Sequence, residues 1–298
     1  MVSCSAPSPS LITGIGAIAL IAALTSSSAS SVPAAGPARP VESGPLSSSR
    51  ECAAESGAHV VVTAREGGTA SSAVAAALRA DGLSAEAYVP PLDVADLRSV
   101  RAFGEFCAAA AVTPDALVNN AAVCEEGWSP AVVRRALRTN ALGPFWLARA
   151  LLPGMRRHGG GRILSVSSGD GELAYLHSAL QDALRAARTA PQLLRVLGRA
   201  RPPRQRYGAA PAHGPTPAYA LSKAALNAGS RILAAEEAGV WVGAVCPGDV
   251  RTRMCVDPEA RARAVPADAA VPSVLWLLER AAGLPSGRFW RDREEISF

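Results

Sequence analysis

The chain has 298 residues, enough for one α/β domain with additions. At 49% hydrophobic and 18% charged it can bury a core, which excludes a disordered or fibrous protein. The net charge of +5 is spread out, and the arginine-rich stretch from Arg185 to Arg206 lacks interleaved aromatics, which argues against nucleic-acid binding. The six cysteines, Cys4, Cys52, Cys107, Cys124, Cys246 and Cys255, form no Cys-x-x-Cys pair and have no histidine cluster beside them. That pattern offers neither a zinc site nor a disulfide framework, and fits reduced thiols in an intracellular compartment.

In chain order, residues 1–49 differ from the rest. Leu11 to Leu24 is an apolar run of 14 residues, short for a membrane span. Thr25 to Ser49 is rich in Ser, Ala, Pro and Gly and reads as linker or disorder. The segment reads as a leader: a signal peptide without a positive start, or an acid-poor transit peptide. It reads equally as a divergent first βα unit, in which Leu11-Ile12-Thr13-Gly14-Ile15-Gly16 is a shortened strand and glycine loop. A dinucleotide turn needs such glycines because backbone must approach a pyrophosphate.

From Arg50 the pattern becomes regular. Arg50 to Ser56 reads as a helix end, His59 to Thr63 as a buried strand, and Ala70 to Ala80 as a helix. Tyr88 to Leu92 reads as a short strand leading to Asp93-Val94, and Leu97 to Ala110 as an amphipathic helix. A strand over Ala116 to Asn119 runs into Asn120 and Ala121. Helical material fills Pro130 to Met155 and includes Asn140. Arg162 to Ser167 is a strand, Pro217 to Ala238 a long helix, and Val240 to Cys246 an apolar strand ending at Pro247-Gly248. Val271 to Glu279 and Gly287 to Trp290 read as a last helix and a last strand. Strands alternating with helices predict an α/β fold, a Rossmann-like doubly wound parallel sheet with helices on both faces.

In such sheets, ligands bind at the carboxyl ends of the strands. Arg65, Asp93, Asn120, Ser168 and Pro247-Gly248 all fall there. Each alone also reads as a turn former or helix cap; five together point to a site. Tyr219-Ala-Leu-Ser-Lys223 adds chemistry. A Tyr and a Lys four apart share one helix face, and an ammonium near a phenol favours the phenolate. Thr216-Pro217 reads as the start of that helix.

These motifs resemble the short-chain dehydrogenase/reductase family. Asn119-Asn120-Ala121-Ala122 is similar to its Asn-Asn-Ala-Gly motif, with Ala122 in place of glycine. Asn140, Ser168, Tyr219 and Lys223 match its catalytic tetrad, and Pro247-Gly248 with Val250 and Thr252 is similar to the motif beside the nicotinamide. The resemblance runs from Arg50 to Phe298. Ser168 and Tyr219 stand 51 positions apart, a long insert similar to that of the carbonyl reductases, with Gln181 to Gly198 as its helical core. In those relatives the insert covers a dimerisation face, which implies a monomer.

The resemblance implies NADPH-dependent reduction of a small-molecule carbonyl. Tyr219 would donate the proton, Lys223 would lower its pKa and hold the nicotinamide ribose, Ser168 would polarise the carbonyl oxygen, and Asn140 would anchor a water for proton resupply. Gly14, Gly16, Arg65, Asp93, Val94, Asn120, Ala121, Tyr219, Lys223, Pro247, Gly248, Val250 and Thr252 would bind the cofactor. Arg65, where an acidic residue would repel a 2′-phosphate, implies NADPH/NADP+. No metal, nucleic-acid or membrane partner is expected. The location is cytoplasmic, or an organelle if residues 1–49 are a transit peptide. The domain plan is 1–49 as leader or divergent unit and 50–298 as the Rossmann-like domain, with an insert at about 170–215. The central strand is expected from Ser10 to Thr13 or another part of the apolar run. The rival readings are a catalytically silent binding protein with a degenerate glycine loop, and a protein tethered to a membrane by Leu11 to Leu24.

Overall fold

The computed structural model describes residues 18–19, 60–65, 68–80, 85–110, 112–200, 217–251 and 258–298. Its strands are β1 (Ile18–Ala19), β2 (Val60–Val62), β3 (Ala85–Ala87), β4 (Ala116–Asn119), β5 (Gly161–Val166), β6 (Val240–Cys246), β7 (Arg288–Arg291) and β8 (Glu294–Ile296). They form one sheet in the order β3-β2-β1-β4-β5-β6-β7-β8, parallel from β3 through β7. The order reverses direction beside β1, the switch point where an α/β sheet opens a crevice. Ile18 pairs with both Val60 and Ala116, so the central place is held by two residues inside the apolar run. The expected Tyr88 to Leu92 strand lies earlier, at Ala85–Ala87. Tyr88 N and Leu92 N instead donate to Val62 O and Ala64 O, which carries the chain back along the end of β2.

The helices are α1 (Gly68–Ala80), α2 (Leu97–Ala109), α3 (Pro130–Leu137), α4 (Gly143–Arg157), α5 (Ser178–Ala186), α6 (Ala190–Arg199), α7 (Pro217–Glu236), α8 (Pro258–Arg263) and α9 (Ala267–Arg280). The sheet buries Val60, Val62, Val118, Leu164 and Val245 against Val274 and Leu277 of α9 on one face. On the other, Val61, Leu117, Ile163 and Val242 meet Phe103 of α2 and Leu147 and Leu151 of α4. Alternate residues of one strand thus serve opposite cores, as the pleat requires. A Cβ at Gly143 would lie 2.6 Å from Val94 O, so only glycine lets α4 begin hard against that backbone.

The insert forms α5 and α6. Leu180 and Leu184, then Leu193 and Leu197, present one apolar row each and bury it with Leu221, Ala225 and Ile232 of α7. Arg231 of α7 donates to Leu184 O (3.0 Å) and Ala187 O (2.8 Å), satisfying carbonyls at the α5 C-terminus. No helix among the described residues is long and apolar enough to cross a membrane.

Candidate active site

Residues of the sheet's carboxyl edge and of α7 form the site. The hydroxyl of Ser168 stands near enough to the phenol of Tyr219 to pull its pKa down, although 51 positions separate them in the chain. Strand β5 ends at Val166; Ser168 then opens a single 3-10 turn, Gly169–Gly171, and its Oγ accepts from Asp170 N at 3.2 Å. Lys223 is buried, and its Nζ donates to Val166 O at 2.8 Å while lying 5.5 Å from the centre of the Tyr219 ring.

The electrostatics differ from the expectation at one point. Burial pushes the Tyr219 phenol up, with Cys124, Asp170 and Cys246 adding to the rise; only the Ser168 hydroxyl pulls it down. Lys223 is not what lowers it. Burial drives that ammonium itself down to about 8, against Cys124, Cys246 and Asp170, and its bond goes to a backbone carbonyl. Desolvation disfavours the charged form of both groups, so in this site both are held toward neutral.

Asn140 is fully buried in a π-helical segment, Arg138–Leu142, between α3 and α4. Such bulges occur often at functional sites. Its side chain accepts from Val123 N (2.8 Å) and donates to Val123 O (2.8 Å) and to Ser222 Oγ (2.8 Å). Ser222 in turn donates to Tyr219 O at 2.7 Å. Asn140 therefore ties the β4 exit to the first turn of α7, where Tyr219 stands.

Along the same edge, Arg65 follows β2, and Asn120 and Ala121 follow β4. Asp93 accepts from Ala95 N at 2.9 Å; the cap of α2 is Asp96, not Asp93. Val94 is buried under α4. Pro247 and Gly248 follow β6, Gly248 at a φ of 78° that suits glycine. Asp249 O and Arg251 N then bond to Val265 at 2.8 Å each, fixing Val250 beside it. Gly14, Gly16, Thr216 and Thr252 lie outside the described residues. Gly14 and Gly16 also precede β1 in the chain, whereas ligands bind beyond a strand's carboxyl end.

Four residues in this site were not singled out from the sequence. Asp170, two positions after Ser168, is pushed up to about 6 by burial and by Asp249, with Lys223 opposing. Ser222 links Asn140 to Tyr219. Arg291 of β7 lies by the Cys246 thiol and pairs with Glu172, and both hold its guanidinium well above its ordinary range. Asn227 is buried four positions after Lys223 and donates to Gly171 O at 3.3 Å. The spacing 219, 223, 227 on one helix face was the available signal.

The model of the short chain dehydrogenase family matches residues 49–187. Carbonyl reductase [NADPH] 3 of Homo sapiens is 30% identical over 261 residues, spanning 83% of this chain and 92% of that protein. The chain belongs to the short-chain dehydrogenase family. Within this family it is similar also to carbonyl reductase [NADPH] 1 of Oryctolagus cuniculus, 32% identical over 79% of this chain and 87% of that one. Salutaridine reductase from Papaver somniferum shares the short-chain dehydrogenase fold at 20% identity, with a TM-score of 0.67 over 93% of this chain and 99% of its own.

Proposed function

We propose that this short-chain dehydrogenase is an NADPH-dependent oxidoreductase that reduces the carbonyl of a ketone, aldehyde or quinone to an alcohol. The nearness of Ser168 to Tyr219 carries the reading: two hydroxyls from distant segments come together where a carbonyl oxygen would accept from both. Relatives named as NADPH carbonyl reductases support the cofactor and substrate class.

The residues present fit a nicotinamide nucleotide at the sheet edge. Thr63 Oγ1 and Ser167 Oγ, just past β2 and β5, are buried without a hydrogen-bond partner. Arg65 offers a guanidinium for a 2′-phosphate, and Asp93, Val94, Asn120 and Ala121 would line the adenosine end. Pro247, Gly248 and Val250 would flank the nicotinamide, which supplies the hydride when bound.

Tyr219 holds its proton because burial disfavours the phenolate, so it is poised to give that proton to an oxygen gaining negative charge. Ser168 donates to the same oxygen and fixes its position. Lys223 sits beneath the ring, where one pKa near neutrality lets it pass or keep a proton. Asn140 holds the β4 exit against α7 through Val123 and Ser222. The insert on α7 supports a monomer.

The comparison of kcat/KM with NADPH and NADH tests the cofactor reading. A strong NADPH preference that Arg65→Ala weakens is expected; a clear NADH preference would overturn it. The chain order of Gly14 and Gly16 before β1 favours one rival, a family member that binds without turnover. A titration in which NADPH does not bind, with no turnover across ketones, aldehydes and quinones, would select that rival.

A further inference from the structure

Ser168 lies one residue past the last bond to the sheet, Ser167 N to Val245 O at 2.7 Å, so the ladder anchors the start of its turn and not the turn itself. What fixes the Ser168–Gly171 turn is α7. A Cβ on Gly171 would lie 3.0 Å from Asn227 Nδ2 and Lys223 C, and 3.1 Å from Lys223 Cβ. The turn therefore rests directly on the helix, between the residues at 223 and 227. Asn227 closes the contact by donating from Nδ2 to Gly171 O at 3.3 Å.

That amide is costly where it stands. Asn is a weak helix former, and here it is 3% exposed in mid-helix with Oδ1 lacking any partner. Packing alone would be served better by Ala or Leu, as at Ala224, Ala225 and Leu226 beside it. The single bond to Gly171 is what the polar group provides. The other tie on this turn, Arg291 with Glu172, is about one-third exposed on both sides and holds it less firmly.

We propose that Asn227 is a positioning residue for Ser168: its amide clamps the Gly171 carbonyl so that the serine hydroxyl stays against the Tyr219 phenol. This rests on the carbonyl-reductase reading of the site. Asn227 touches no reacting atom; it acts through the turn.

A double-mutant cycle on the full chain tests it, with Asn227→Ala, Ser168→Ala and the pair, assayed with NADPH and a saturating quinone. Displacing a catalytic hydroxyl by a fraction of its reach costs about tenfold or more in kcat. Asn227→Ala is therefore expected to lower kcat about tenfold, with NADPH affinity within about twofold of the parent. In the Ser168→Ala background the same change is expected to cost less than about twofold, because the group it positions is gone. Asn227→Asp keeps the shape without the donor and should fail as Ala does. If Asn227→Ala does not fold, Gly171→Ala, which pushes the turn off α7, enters the cycle in its place. Full kcat in Asn227→Ala, or an equal loss in both backgrounds, overturns the proposal while leaving the reading of the site intact. A parent protein with no NADPH-dependent turnover overturns both.

Discussion

Lys223 stands one helical turn after Tyr219, yet its ammonium donates to Val166 O at 2.8 Å rather than to the phenol. The bond joins α7 to the end of β5, the strand that leads to Ser168. The lysine thus serves as a strut before it serves as a charge, and burial drives it down to about 8.

This strut carries a stability cost. The fall from 10.5 to about 8 corresponds to about 3 kcal/mol against the charged form at neutral pH. The folded chain binds fewer protons than the unfolded chain between pH 8 and 10.5, so stability should rise with pH across that window. Lys223→Met is expected to lose activity, to raise the thermal midpoint at pH 7 by a few degrees, and to remove the rise between pH 8 and 10.5. Thermal unfolding at stepped pH checks this.

Asp170 behaves with the opposite sign. Burial first, then Asp249 and Glu172, push it up from 3.8 to about 6, while Lys223 pulls the other way. Its contribution is present in full below the unfolded value and is lost as pH rises from about 4 to about 6. Allowing for partial exposure, the loss is about 1–2 kcal/mol. Asp170→Asn should abolish that slope in chemical unfolding. Removing the charge should also lower the Tyr219 pKa, moving the optimum for alcohol oxidation to lower pH.

Much of this architecture was legible in the sequence, for reasons that differ by element. Val240–Cys246 and Ala116–Asn119 are apolar runs bounded by turn residues, and both strands have the expected bounds. The β7–β8 hairpin was not legible, because its turn places Asp292 and Arg293 at φ of 51° and 68°, where Asn-Gly is the usual signal. In the apolar run before residue 24, no period marks which residues form the strand, and pairing alone selects Ile18–Ala19. The site motifs could be read by type and spacing. The direction of the Tyr219 shift could not, because burial sets it and depends on the whole packed environment. Asn227 was missed for a similar reason: its partner Gly171 is 56 positions away.

Asn140 supplies both halves of a backbone pairing at Val123. Asn140→Ala would strand that N–H and C=O and leave Ser222 Oγ only its bond to Tyr219 O. The expected cost is about 2–3 kcal/mol, with a lower thermal midpoint and a lower kcat. Calorimetry alongside steady-state kinetics would read both; an unchanged midpoint would remove the tie from the account.

The insert is expected to behave as part of the core and to keep the protein monomeric. Leu184, fully buried between α5 and α7, should cost about 2–4 kcal/mol when changed to Ala. Light scattering should give the mass of one 30.5 kDa chain, and a dimer would show that α7 is not shielded as described.

The most direct measurement pairs NADPH oxidation with NADPH binding in the parent and in Tyr219→Phe, using a quinone or aromatic ketone as acceptor. Phenylalanine keeps the ring over Lys223 and removes only the hydroxyl that meets Ser168. Carbonyl-dependent NADPH oxidation is expected in the parent, with a loss of about a hundredfold or more in kcat for the variant and similar NADPH affinity in both. Equal turnover by the two proteins would contradict the proton-donor role of Tyr219.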